Sequence, residues 1–414
     1  FDEWIETVKT GYYAVISVYK GKNKNEYEIT FKRKGMQMPI DFTVISKDDS
    51  VYNFYIPNTW FEKKTNANVL PRWIGWDKVK PTYTATVIIP DGIRDVIIDP
   101  TDRLADVNML NNTKKTPLQF TFDSKIYNTP NWQKYELFAR PDIWYNGYDG
   151  LKTGVNVNGN YLNYKHIFDA TVWLNMGIGQ NYLDSTTQKL KHDNVSFMAS
   201  YNTATDKFMR RSSFYSSAKS LDGLHAYLVG FDRKDISEKN RIYIYYKSMY
   251  RRSLNALGYL LLPNEWIANQ LNNTLNIGIE HKYTYEKGTG NINLGMRSSA
   301  IMSDYNYQNV NLNVVNRTRL GKLLLNTRLF GQFGTGNYWA KESSLFLAGG
   351  NPEDMMDNKY TRSQGFFDPA WAKYGATTNN FQYGGGLNLR GYAGYLAPQQ
   401  LSDGSVVITY KGQT

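Results

Sequence analysis

The stretch Leu275–Tyr285, LNIGIEHKYTY, alternates without interruption. Leu275, Ile277, Ile279, His281, Tyr283 and Tyr285 share one parity, and Asn276, Gly278, Glu280, Lys282 and Thr284 the other. A period of two puts each set on its own face of an extended strand, one apolar with rings near its end, the other polar, small or charged. Phe168–Ile178 repeats the pattern: Phe168, Ala170, Val172, Leu174, Met176 and Ile178 oppose Asp169, Thr171, Trp173, Asn175 and Gly177. Ile292, Leu294 and Met296 alternate with Asn293, Gly295 and Arg297, and Leu323, Leu325 and Leu329 flank Asn326 and Arg328. A soluble sandwich alternates as well, so length carries the distinction. These runs last about 10–14 residues, against the five or six usual in soluble sheets. That length suits a strand crossing a bilayer at a tilt.

Working outward, eleven such runs are expected, at about 134–146, 149–161, 165–178, 193–204, 206–219, 222–233, 240–252, 272–286, 290–303, 306–319 and 321–333. Tight connections are read around Asn163, at Thr205-Asp206, at Gly288-Thr-Gly290 and at Gly321. Long ones are read after the third, seventh and eleventh runs, at Gly179–His192, Arg252–Asn272 and Gly334 to about Asp403. Short turns on one side and long loops on the other are the pattern of an outer-membrane barrel.

The last of these connections contains Phe381–Ala397, FQYGGGLNLRGYAGYLA. Gly384, Gly385 and Gly386 suit neither a helix nor a central strand, but they fit a sharp reversal or a close backbone approach. Leu389-Arg390-Gly391-Tyr392 follows, with a guanidinium set among apolar and aromatic neighbours. On residue chemistry alone the favoured reading is a Gly-rich surface loop. Glycines followed by a hydrophobic-Arg-Gly-aromatic tetrapeptide resemble the signature of the BamA-type superfamily of outer-membrane barrels, the bacterial surface antigen family. In that family the tetrapeptide lies on the sixth extracellular loop, which folds into the lumen, where the arginine pins it to the wall. The loop after the eleventh run is the sixth on the long side, where the signature belongs. A complete barrel of that family has about sixteen strands, whereas this chain ends in the twelfth. The arginine's acidic partner lies on a later strand in the family, and no POTRA repeats are read here.

Residues 1–115 read as a β-sandwich. Tyr13–Tyr19, Glu26–Phe31, Ile40–Ile45, Val51–Ile56, Tyr83–Ile89 and Asp95–Ile98 are short β-branched or aromatic runs bounded by Gly, Asn, Lys or Pro. Phe1–Val8 is the one helix candidate. The segment Ile93–Asn112, with its Asp99-Pro100 turn, Leu104-Ala-Asp106-Val-Asn108 and the Asn111-Asn112 pair, resembles the end of the sandwich that follows the catalytic domain in aminopeptidase-N-type metallopeptidases of Bacteroidetes-like envelopes. Met38-Pro39-Ile40-Asp41-Phe42 resembles a mid-domain strand of the same sandwich. Asp99, Asp102 and Asp106 have the spacing of oxygen ligands for calcium, but turn and cap chemistry accounts for them better. His166, His192, His225 and His281 include no pair at i, i+4, so the His-Glu-x-x-His helix of a zinc peptidase is not in this text. No catalytic, cofactor or metal residue is assigned within the chain. The resemblance implies a zinc domain upstream of Phe1.

Composition agrees with an envelope protein. The 414 residues include no cysteine, 33 Tyr and 10 Trp. Mean hydropathy is −0.54, and no apolar run approaches the 20 residues of a membrane helix. Strands that alternate look polar on average, so a barrel fits this value. The net charge of +11 is unevenly spread, 17 basic against 15 acidic residues in 1–115 and 31 against 22 beyond. The basic residues are scattered and form no stripe, so nucleic acid is not an expected partner. The chain, starting mid-domain at Phe1 and stopping after the strand-like Val406–Tyr410, reads as a piece of a longer protein.

The expected fold is therefore all-β: a sandwich over 1–115 and a truncated antiparallel transmembrane barrel over 116–414, with a sixth loop spanning about 334–403. The expected role is an outer-membrane anchor, and a conduit for substrate or product, of an aminopeptidase-N-like peptidase. Its partners would be outer-membrane lipids, the upstream peptidase domain and polypeptide substrate, and the sandwich would be periplasmic. Two other readings stand beside it. One is a BamA-type protein insertase or translocase with the sandwich as a docking module. The other is a soluble all-β carbohydrate-binding protein, for which the tyrosines and tryptophans would supply stacking platforms.

Overall fold

The computed structural model describes residues 9–59, 61–76, 78–124, 129–180, 192–252, 266–345 and 353, with the backbone of Leu396–Gln400 and Val406–Tyr410. The helix candidate Phe1–Val8 lies outside these residues. The fold is all-β. It divides into two compact units, Phe1–Phe138 with Gly159–Asn163, and Ala139–Asn158 with Tyr164–Thr414. The first unit thus reaches beyond residue 115.

In the first unit, β1 (Gly11–Lys20), β2 (Glu26–Gly35) and β6 (Thr82–Ile88) form one sheet. β5 (Asn68–Val69), β4 (Val51–Ile56), β3 (Ile40–Ser46) and β7 (Ile93–Ile98) form another. All six runs read from the sequence are strands; the two-residue β5 has too little text to carry a period. Alternate residues of the two sheets meet in one core, with Tyr13, Ile29, Phe31 and Val87 from the first and Ile40, Phe42, Phe54 and Val96 from the second. Phe31 and Phe42 lie 4.7 Å apart across it, and Phe42 stacks on Phe54 at 5.0 Å. This is hydrophobic burial of the ordinary kind, polar outside and apolar within.

The three aspartates after β7 are engaged locally. Asp99 accepts from the Leu104 amide and Asp102 from Gln133. Asp106 accepts from the amides of Tyr13 at 3.1 Å and Asn108 at 2.9 Å. Burial pushes the Asp106 carboxyl up to about 6, against these two hydrogen bonds and with help from the neighbouring Asp99 charge. A raised acid is neutral in the fold at pH values where it is charged when unfolded. Its contribution is therefore complete below pH about 4 and lost as pH rises through about 6, amounting to about 3 kcal/mol. In Asp106→Asn, that loss should be absent. Hydrogen-exchange protection of the β1–β3 amides, corrected for intrinsic rate, should fall between pH 5 and pH 7 more steeply in the wild type than in the variant. Parallel profiles would assign the pH response elsewhere.

The largest sheet has twelve strands in strict sequence order, β8 to β19. Its strands are β8 (Leu118–Phe122), β9 (Tyr135–Asn146), β10 (Gly150–Tyr161), β11 (Lys165–Asn175), β12 (Val195–Ala204), β13 (Ser212–Leu221), β14 (Leu224–Lys234), β15 (Asn240–Arg251), β16 (Leu271–Tyr285), β17 (Gly288–Ser299), β18 (Asn306–Leu320) and β19 (Leu323–Tyr338). Each pair from β11 to β19 is antiparallel. The eleven runs read from alternation are β9 to β19. The sheet has a twelfth member, β8, which that reading leaves out.

Several boundaries differ from the expected ones. The connection at Thr205-Asp206 is not minimal: β13 starts at Ser212, and Thr205 receives the amides of Phe208 and Met209 in a broader turn. Gly288 and Gly290 lie inside β17, the turn being Glu286-Lys287. These two glycines are not turn residues because they sit under the rings of Tyr285 and Tyr283, where a Cβ would clash with them. The 334–403 connection starts later than expected. β19 runs to Tyr338, and β20 (Leu396–Gln400) pairs antiparallel with β21 (Val406–Tyr410).

Candidate functional site

The large sheet is inside out. On β15–β17 the outward residues pair as Ile244 with Ile277 and Ile277 with Met296, a continuous apolar ladder. It is exposed: Ile277 is 43% and Leu174 57% accessible, and Val172, Ile244, Leu294 and Val310 are similar. The opposite parity is polar and buried, with Lys152, Asn156, Thr171, Ser196, Asn272, Thr274, Asn276 and Asn309 all withdrawn from solvent. Register explains both sets, because a slip of one residue would exchange every side chain between faces. Tyrosines on the buried face lie over glycines of the next strand. Tyr243 faces Gly278, where a Cβ would come within 2.3 Å of the ring. A ring over a bare backbone lets the sheet bend at that point.

Two charged clusters occupy the buried face. In the first, Lys152 Nζ on β10 donates to Asp149 in the β9–β10 turn, to Asp222 Oδ1 in the β13–β14 turn at 3.0 Å and to Ser196 Oγ at 3.2 Å. Asn146 donates to the same Asp222 oxygen at 2.7 Å, and its own oxygen accepts from the Asp149 amide at 2.7 Å. Arg251 donates to the Asp222 carbonyl at 2.9 Å, with its guanidinium 4.6 Å from the Trp266 ring centre. Lys152, Asp149 and Asp222 are 1% exposed or less. Three strand spacings separate β10 from β13, roughly 14 Å if the sheet were flat. A lysine cannot span that with its amine at 3.0 Å, so the sheet curls toward its polar side here.

The second cluster holds the chain that follows β19. Glu353 accepts from Lys247 Nζ at 2.5 Å, and from Arg297 Nη1 at 2.9 Å and Nη2 at 3.2 Å. Arg297 is oriented by Asn276, whose Oδ1 accepts from Nε at 2.8 Å. Just after β19, Asn272 donates to Glu342 at 2.9 Å and to Ser343 at 3.0 Å, and the Tyr307 and Trp339 rings lie 5.1 Å apart. Residues 339–344 and Glu353 are thus fastened to the polar face of β15–β18. A forked guanidinium on a carboxylate fixes orientation as well as position.

Gly384, Gly385, Gly386, Leu389, Arg390, Gly391 and Tyr392 lie outside the described residues. The contact found on this part of the chain has the opposite polarity to the one the resemblance implies for Arg390: the carboxylate is on the connecting segment and the cations are on the sheet. No local signal marks Glu353, whose partners are 106 and 56 positions away. The Asp222-Gly223 dipeptide could have been found, since it is a strong signal for a two-residue hairpin. Both of its residues have positive φ, 54° and 78°. Two of the histidines lie within strands and are hydrogen-bonded across them: His166 Nδ1 meets Tyr201 Oη, and His281 Nδ1 meets Asn240 Oδ1, each at 2.7 Å.

Glu353→Gln keeps the shape and removes the buried charge that two partly buried cations face. The expected loss is about 3 kcal/mol, at the low end for a broken buried pair because Arg297 and Lys247 retain 18% and 12% exposure. Limited proteolysis should cut faster within 339–395 in the variant. Unchanged cleavage would mean that the contact does not hold the segment.

This arrangement defines an all-β protein with a polar-faced, apolar-backed sheet and a segment clasped to its polar side. No protein-family model matches the chain, and neither does any curated protein.

Proposed function

We propose that the twelve-stranded sheet is the wall of an outer-membrane barrel that anchors an aminopeptidase-N-like peptidase, with the β1–β7 sandwich as the periplasmic domain joining the two. The observation that supports this best is the polarity of the sheet. An exposed ladder of Ile, Leu, Val and Met is costly in water and favourable against lipid tails. Asn, Thr, Lys and Asp on the other face suit a hydrated or plugged lumen. Most of these strands have 10–16 residues, long enough to cross a bilayer at the tilt of such barrels.

Connection lengths favour one orientation. The 19-residue links between β11 and β12 and between β15 and β16 leave from the same side as the segment after β19. The other side has links such as Glu286-Lys287 and Gly321-Lys322. Short turns face the periplasm in outer-membrane barrels, and β9 enters from that side. The peptidase part of the reading is supported by the text of Ile93–Asn112 and Met38–Phe42, and its zinc domain would lie upstream of Phe1.

Cell fractionation tests the reading. The protein should require detergent for release from outer membranes and should migrate faster on unheated than on heated gels. Aminopeptidase activity lost on chelation should sediment with it. Release without detergent would remove the membrane role; membrane residence without that activity would remove the peptidase role alone. Protease added to intact cells should spare residues 9–115, and cutting there would reverse the orientation.

A further inference from the structure

The connection between β4 and β6 presents an apolar tip on a rigid base. Trp73 is buried, its ring 4.4 Å from the Arg33 guanidinium and 5.5 Å from Tyr83, and its Nε1 donates to the Lys80 carbonyl at 3.0 Å. Between these anchors the backbone closes on itself: the Trp76 amide donates to Val79 at 2.8 Å and the Val79 amide to Trp76 at 3.0 Å. Gly75, at φ +104°, permits the reversal, since a Cβ there would sit 2.4 Å from the Val79 carbonyl oxygen. These bonds tie Trp76 to Val79, and Ile74, Trp76 and Val79 face outward, where they are 58%, 55% and 47% exposed. Three large apolar side chains held out of a domain with a complete core of its own are a contact surface rather than leftover core.

The surrounding charges select the occupant. Residues 72–80 carry Arg72, Lys78 and Lys80 against a single acid, Asp77. Arg72 is held by Glu62 at 2.6 Å, next to the exposed Phe61. Lys78 and Lys80 are exposed and flank Val79. A tryptophan with aliphatic neighbours and lysines beside it matches the interfacial layer of a bilayer, with the ring at headgroup depth and the amines on anionic phosphates. We infer that the tip Ile74–Lys80 docks into an anionic lipid surface through Trp76, Ile74 and Val79, with Lys78 and Lys80 on the headgroups. The proposal relies on the membrane role only for a bilayer being at hand.

The chain has no cysteine, so single labels are unambiguous. Trp76→Cys, Val79→Cys and Ile277→Cys would each carry an environment-sensitive fluorophore on the full chain in nanodiscs. The lipid would be phosphatidylcholine with or without phosphatidylglycerol, doped with nitroxide lipid. Labels at 76 and 79 should be quenched when phosphatidylglycerol is present and less so at raised salt. Loss of each lysine in Lys78→Gln and Lys80→Gln should weaken partition about fivefold. Quenching at 277 with none at 76 or 79 would overturn the tip inference and leave the membrane reading standing. Quenching at 76 and 79 without it at 277 would do the reverse. Labels at 76 and 79 shielded from both aqueous iodide and nitroxide lipid would mean a protein surface covers the tip, and would overturn the lipid assignment. Equal quenching with and without phosphatidylglycerol would overturn its anionic part.

Discussion

Lys152→Ala is expected to cost the large sheet about 3–5 kcal/mol. The amine sits between two carboxyl groups that are as buried as it is, and it pairs with both. Its removal would leave two adjacent buried carboxyl groups that cannot both stay ionised, in a region where Asp149 Oδ1 already has no hydrogen-bond partner among the described residues. Lys152→Met would lose the charge and keep most of the volume, and should be nearly as damaging. The triple variant Lys152→Met, Asp149→Asn, Asp222→Asn should recover much of the loss, because neutral groups bury more cheaply than unpaired ions. Thermal unfolding in detergent would order the three. A loss below about 1 kcal/mol in the single variants would fit a hydrated cluster instead.

Ile277→Arg should lose about 2–4 kcal/mol if the residue lies near mid-membrane. The direction is the informative part. Ile277 is already 43% exposed, and an arginine replacing an exposed isoleucine on a water-facing strand would be close to neutral. On a lipid-facing strand the same change puts a guanidinium beside Ile244 and Met296 in the apolar ladder. Refolding into lipid vesicles, followed against urea, gives the number. A variant as stable as the wild type would place that face in water.

Strand positions were legible because the pleat is local: Leu275, Ile277 and Ile279 reveal their parity within five residues, wherever the strand goes. So were the two cores of opposite kind, since Phe31 and Phe42 sit in ordinary sandwich runs while Asn272, Thr274 and Asn276 occupy the inward parity of a long one. β8 was missed although Leu118, Phe120 and Phe122 alternate, because five residues carry little periodicity. The extent of the first unit, to Phe138 with Gly159–Asn163, was also out of reach, because it depends on contacts between distant segments. The side-chain clusters were hidden for the same reason. Lys152 and Asp222 are 70 positions apart, and Glu353 meets Arg297 and Lys247 from 56 and 106 positions away. Sequence by itself determined which side chains share a face, because that follows from backbone geometry. Tertiary structure decided which charges on that face meet, because a buried ion pair depends on the curvature of the sheet and on the path of the chain between its partners.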